Sequence, residues 1–113
     1  MLDTIMPQIS SAVTTPRPAD GGLAKRSPHE TVPVAWQAGR IYGASYNVYS
    51  GANAELVNGA SATAHEGVAL QTVTGVEAEV KANPGTTYWR VDTVAPGQEL
   101  PLVIGPVWRF RTG

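Results

Sequence analysis

The sequence predicts an all-β chain: an antiparallel sandwich of about seven short strands behind an extended N-terminal arm. Three observations carry this expectation. From Thr31 onward, apolar side chains recur with period two. Gly, Pro and Asn interrupt those runs every ~8–12 residues, the spacing of turns between short strands. No stretch of about ten residues keeps the ~3.6-residue apolar period of a helix without a Gly or Pro inside it, so a parallel βαβ architecture has no helices to build on.

Composition sets the outer bounds. The 113 residues are 42% apolar and 15% charged, with net charge −1, 12 Gly, 9 Pro and no Cys. A chain of this length buries roughly two-thirds of its unfolded surface, enough for one core without cross-links. Low and nearly balanced charge argues against a nucleic-acid partner. The lack of Cys removes disulfide and thiolate chemistry. No run approaches ~18 apolar residues, so no membrane partner is expected. The first residues also lack a secretory signal: Asp3 is their only charge, and Pro7 and Gln8 interrupt the apolar residues. A chain read from its own start codon is then expected to be made in a cytoplasm.

Residues 1–16 read as arm and linker, and residues 17–113 as the sandwich. Leu2, Ile5, Met6 and Ile9 recur at helical spacing, but Pro7 removes a backbone donor among them. Residues 10–20, rich in Ser, Thr and Pro, read as an extended tether. Apolar side chains exposed on a soluble tail are a liability, which points to an arm that buries Leu2, Ile5, Met6 and Ile9 on another protein subunit. The plainer alternative is a frayed terminus, or one folded back on its own domain.

Val32, Val34 and Trp36 alternate with Pro33 and Ala35 in the first firm strand, with Pro33 marking an edge or a bulge. In residues 44–49, Tyr46 and Val48 point inward, and Asn47 and Tyr49 outward. Asn58-Gly59 reads as a two-residue hairpin turn between Glu55-Leu56-Val57 and residues 60–64. Val68-Ala69-Leu70 and residues 76–80 follow, the acids of the second run facing water. Asn83-Pro84-Gly85 turns the chain into its longest run, residues 86–94. Ala95-Pro96-Gly97-Gln98 turns it again, and Leu102-Val103-Ile104 with residues 107–112, broken at Gly105-Pro106, complete the sheets. The core is expected to centre on Trp36, Tyr46, Val48, Trp89, Val91, Trp108 and Phe110.

At these residues the sequence resembles a fibronectin type III-like domain, an immunoglobulin-like sandwich of the kind found in bacterial and phage surface proteins. The similarity spans about residues 16–112. It lies in Pro18-Ala19-Asp20-Gly21-Gly22, Val34-Ala35-Trp36, Tyr46-Asn47-Val48-Tyr49-Ser50-Gly51, Asn83-Pro84-Gly85-Thr86-Thr87-Tyr88-Trp89-Arg90-Val91-Asp92 and Gly105-Pro106-Val107-Trp108-Arg109-Phe110-Arg111-Thr112. The resemblance implies a fold, not an activity, since such folds host many functions. In one departure, Tyr88 adjoins Trp89 where the pattern usually places an extra aromatic residue. Either Trp89 is core and Tyr88 surface, or a bulge near Thr87 restores the usual tyrosine corner; continuity with Trp108 and Phe110 favours Trp89 and Val91 inward.

Catalytic chemistry finds no foothold. His29-Glu30 and His65-Glu66 invite a metal reading, but the residue four after His65 is Ala69, not the second His that a zinc helix requires. There is no nucleophile elbow, phosphate-cradling loop or Cys nucleophile, so no enzyme, cofactor or metal is expected. Strand parity instead places Tyr49, Tyr88, Arg90, Arg109 and Arg111 on one outer sheet face, where Arg and Tyr can stack. Such residues carry energy at interfaces; the alternative is a solvated face tidied by cross-strand pairs with Asp92.

The leading expectation is therefore a non-enzymatic structural and interaction module. An export-free chain with a display-type fold points to an accessory protein of a phage capsid or tail, a decoration or tail-associated subunit held by its arm among other protein subunits and localised to the virion. The alternative is an extracellular carbohydrate-associated or adhesion module, using the loops at residues 40–43 and 95–98, with Tyr42 against a cell-surface glycan.

Overall fold

The computed structural model describes residues 12–24, 31–39, 43–97 and 101–112. It is mostly β and forms two sheets. The smaller runs in the order β1 (Thr14–Arg17), β3 (Thr31–Gln37), β6 (Glu77–Lys81). The larger runs β2 (Gly22–Ala24), β9 (Val107–Thr112), β7 (Thr86–Val94), β4 (Ser45–Gly51), β5 (Ala69–Val73), with β8 (Leu102–Val103) also paired to β7. All pairings are antiparallel except β2 with β9, which is parallel.

Period-two alternation explains the layer between the sheets. Val32, Val34 and Trp36 of β3 and Val80 of β6 meet Tyr46 and Val48 of β4, Trp89 and Val91 of β7, and Trp108 and Phe110 of β9 in one buried cluster. Trp89 is fully enclosed and lies edge-on to Trp108, ring centroids 4.9 Å apart, and 6.3 Å from Trp36. Full burial of such side chains is worth roughly 1.5–3 kcal/mol each or more, the dominant stabilising term.

Pro33 lies within β3, the middle strand of the smaller sheet. The Trp36 N–H donates to the Val76 carbonyl, so the even-numbered residues of β3 bond toward β6 and the Pro33 nitrogen points toward β1. The β1 register reaches only Arg17 opposite Ala35, with a bulge between Thr14 and Arg17, so the missing donor falls past the end of β1.

Three expectations need correction. Residues 12–16 are not linker: Val13 is buried in the core and β1 pairs with β3, because an edge strand is needed to close that side of the core. Residues 22–24 likewise form β2. No hairpin turns at Asn58-Gly59. Residues 54–59 form a helix, α1 (Ala54–Gly59), because the Asn53 side chain accepts hydrogen bonds from the Glu55 and Leu56 N–H groups and starts a helical turn. At the turn into β7, pairing with β9 is regular through Thr86–Arg90, with no bulge. The buried Thr87 hydroxyl accepts from the Asn83 N–H at 2.8 Å and ties the turn to the start of β7.

Candidate interaction surface

The outer face of the larger sheet carries the residues in question, and register fixes their order. Leu23, Arg111 and Thr86 are cross-strand neighbours; Arg109 is opposite Tyr88; Val107, Arg90, Tyr49 and Leu70 form the next row; Asp92, Asn47 and Thr72 the one after. Sequence parity is thus obeyed, yet the face is not uniform.

α1 lies over the Arg90 row. Val57 and Ala60 pack with Tyr49 and Val68 into a second buried cluster, flanked by Leu70, Tyr88 and Val107. β7 is therefore covered on both faces, and Arg90 and Asp92, 1% and 2% exposed, are charges in a desolvated place. Such charges persist only if paired and fully hydrogen-bonded, and the geometry meets that demand. Arg90 Nε donates to Asp92 Oδ1 at 2.9 Å and Nη2 to Oδ2 at 2.8 Å. Nη1 donates to the carbonyls of Val57 (2.8 Å) and Asn58 (2.9 Å), and Nη2 to that of Ala60 (2.6 Å). A guanidinium has five N–H donors, and these bonds use them all. The plane also stacks on Tyr49, 4.3 Å from its centroid.

The carbonyls Arg90 takes are those at the end of α1, where a helix runs short of donors of its own; of the three, that of Val57 also accepts from the Ala60 N–H at 3.3 Å. The last turn of α1 holds no basic residue of its own; β7 supplies the cation instead. Asp92 Oδ1 accepts further from the Gly105 N–H at 3.1 Å, tying in the break between β8 and β9. Burial and the neighbouring Asp92 carboxylate raise the Tyr49 pKa above its ordinary value, against the lowering influence of Arg90.

Tyr49 and Arg90 are therefore corrected as surface residues: both lie beneath α1, and neither presents its side chain to a partner. The Asp92 pairing runs along one strand rather than across strands. Tyr88 is half-buried, while Arg109 and Arg111 are exposed. Among the described residues neither of these two guanidiniums has a hydrogen-bond or ion-pair partner. Two adjoining hollows, of about 350 and 340 Å³, share Tyr88 and Arg109. The first adds Gly21, Thr86 and Arg111; the second adds Asp20, Ala54, Val107 and Trp108. The β1–β2 turn walls them on one side: Gly21 N–H donates to the Arg109 carbonyl, and Arg109 N–H to Asp20 Oδ1 at 3.0 Å.

Leu2, Ile5, Met6 and Ile9 lie outside the described residues, as do His29, Glu30 and the loop residues Arg40, Tyr42 and Gln98. His65 uses Nδ1 on the Val68 carbonyl at 3.1 Å within a turn. Among the described residues no group of three or more His, Cys, Asp or Glu is placed to hold a metal ion, and no helix is long and apolar enough to cross a membrane.

The Arg90 clamp escaped sequence reasoning because its acceptors are carbonyls of residues 57, 58 and 60, some thirty positions upstream. One signal was present: Arg90 and Asp92 stand two apart on one face of β7, the spacing at which an Arg and an Asp can pair along a strand. No protein-family model and no curated protein matches this chain.

Proposed function

We propose that this chain is a non-enzymatic structural and interaction module with a fibronectin type III-like fold, an accessory decoration or tail-associated protein of a phage virion. One observation carries the module reading: the arginines on the outer face of the larger sheet, among the described residues, divide into two sets. Arg90 is used up internally: three donors fasten the end of α1 to the sheet and two hold Asp92. Arg109 and Arg111 stand exposed beside hollows that also expose part of Tyr88. Arg and Tyr are residues on which binding energy concentrates. The strand order β1-β3-β6 against β9-β7-β4-β5 supports the fold part of the reading. The apolar residues Leu2, Ile5, Met6 and Ile9, preceding Val13 at the edge of the core, support attachment through the N-terminal segment.

Removal of residues 1–11 tests the attachment. The cut must stop before Val13, which belongs to the core. The shortened chain is expected to stay folded and monomeric by size exclusion with mass measurement, and to be missing from purified particles that contain the intact chain. Shortened chains incorporated as well as intact ones would overturn it.

A further inference from the structure

From the open end of the outer face, we infer that Arg109 and Arg111 form a docking site for an extended acidic segment of a partner protein, one with carboxylates at alternate positions. The inference rests on the interaction-module reading and adds the partner's chemistry to it. Both guanidiniums project from the same face of β9, two residues apart, and neither is satisfied within the described chain. Alternate residues of a strand are about 6.6 Å apart, the same repeat that an extended peptide gives its own alternate side chains. An Asp-x-Asp or Glu-x-Glu segment laid along β9 can therefore bring one carboxylate to each guanidinium without leaving its extended form. Carboxylate is the acceptor that an arginine fork fits in bidentate fashion.

The surroundings set polarity and direction. In the hollow shared with Arg111, the other lining residues are Gly21, Thr86, Tyr88 and Arg109, which bring no negative charge. The neighbouring hollow holds Asp20, whose carboxylate already accepts from the Arg109 backbone and repels a second anion. The acidic segment is thus steered to the Arg111 side, over Thr86 and the Tyr88 ring, and away from α1. Because β9 is held by β7 on one side and β2 on the other, the two arginines sit on a backbone fixed before a partner arrives.

The test is NMR titration of the full chain with the peptide Glu-Thr-Glu-Thr-Glu. Expected are shifts of the amides at Thr86, Tyr88, Arg109 and Arg111. Binding is expected to fall about tenfold or more in R109A/R111A and to return in part in R109K/R111K, which keeps the charge but loses the fork. Both variants change exposed side chains, so an unaltered spectrum elsewhere verifies the fold. Gln-Thr-Gln-Thr-Gln is expected not to bind. Equal binding by R109A/R111A would overturn the proposal. So would tighter binding of an oligogalacturonate, which marks a carbohydrate site, or self-association lost in E77Q/E79Q, which marks a second copy as the occupant. If the peptide fails while the chain still joins its assembly through residues 1–11, the acidic-segment proposal falls and the module reading stands.

Discussion

On the inner face of the larger sheet, Trp89, Trp108 and Phe110 are buried against Val32, Val34 and Trp36, and the indole nitrogens of Trp36 and Trp89 and the Thr93 hydroxyl have no hydrogen-bond partner among the described residues. On the outer face, beneath α1, every Arg90 donor is engaged and Asp92 is held by both Arg90 and Gly105. Equal burial is thus reached by opposite means. Apolar area is non-directional, so the inner face tolerates orphaned indole N–H groups, at roughly 1–3 kcal/mol each, because aromatic burial exceeds that cost. A charge admits no such latitude: a buried guanidinium stripped of its partners would destabilise the fold by about 3–5 kcal/mol. The inner face therefore depends on volume, the outer face on geometry.

Substitutions should separate the two. Trp89→Ala, which opens a cavity between the sheets, is expected to have the largest effect, about 4–5 kcal/mol by urea denaturation. Arg90→Ala should cost about 3–4 kcal/mol, much of it from the buried Asp92 carboxylate left alone. Adding Asp92→Leu to Arg90→Met should recover most of the charge penalty. It should leave amide exchange in α1 fast, because the carbonyls of Asn58 and Ala60 lose their donor and that of Val57 keeps only the Ala60 N–H; slow exchange there would refute the capping role. Gly105→Ala should cost about 1–3 kcal/mol, since a Cβ at that position runs into the Val91 carbonyl oxygen. Asn53→Ala, which removes the N-cap of α1, should cost about 1 kcal/mol, with loosening confined to the helix.

The smallest effect is one of pH. The folded state holds the Tyr49 proton more tightly than the unfolded chain does, so its contribution is complete below pH 10 and is lost as pH rises through the higher folded value. Urea midpoints measured between pH 9 and 11 should fall for the native chain and fall less for Tyr49→Phe. An identical decline in both would show that the hydroxyl is not buried against Asp92.

Much of the fold was legible because period-two patterning and turn residues act locally. The inward set of β3, β4, β7 and β9 could be read by parity, as could the break at Gly105-Pro106. Residues 14–17 and 22–24 escaped because their strand character comes from the edges they cover: Thr, Pro and Gly there carry no apolar alternation. α1 escaped because a six-residue helix is too short to show a period. Asn58-Gly59, moreover, gave a strong local signal for a turn.

By itself the sequence determined which side of each strand Tyr49, Tyr88, Arg90, Arg109 and Arg111 occupy, since pleat parity is a property of the backbone alone. Only the tertiary structure decided which of them meet solvent. That depends on where α1 comes to rest, and a helix too short to be stable alone takes its place from what it packs on: the Tyr49 ring beneath it and the Arg90 guanidinium at its end. The same side of one sheet thus holds a charge sealed into the fold and, one and two rows away, two charges exposed to solvent.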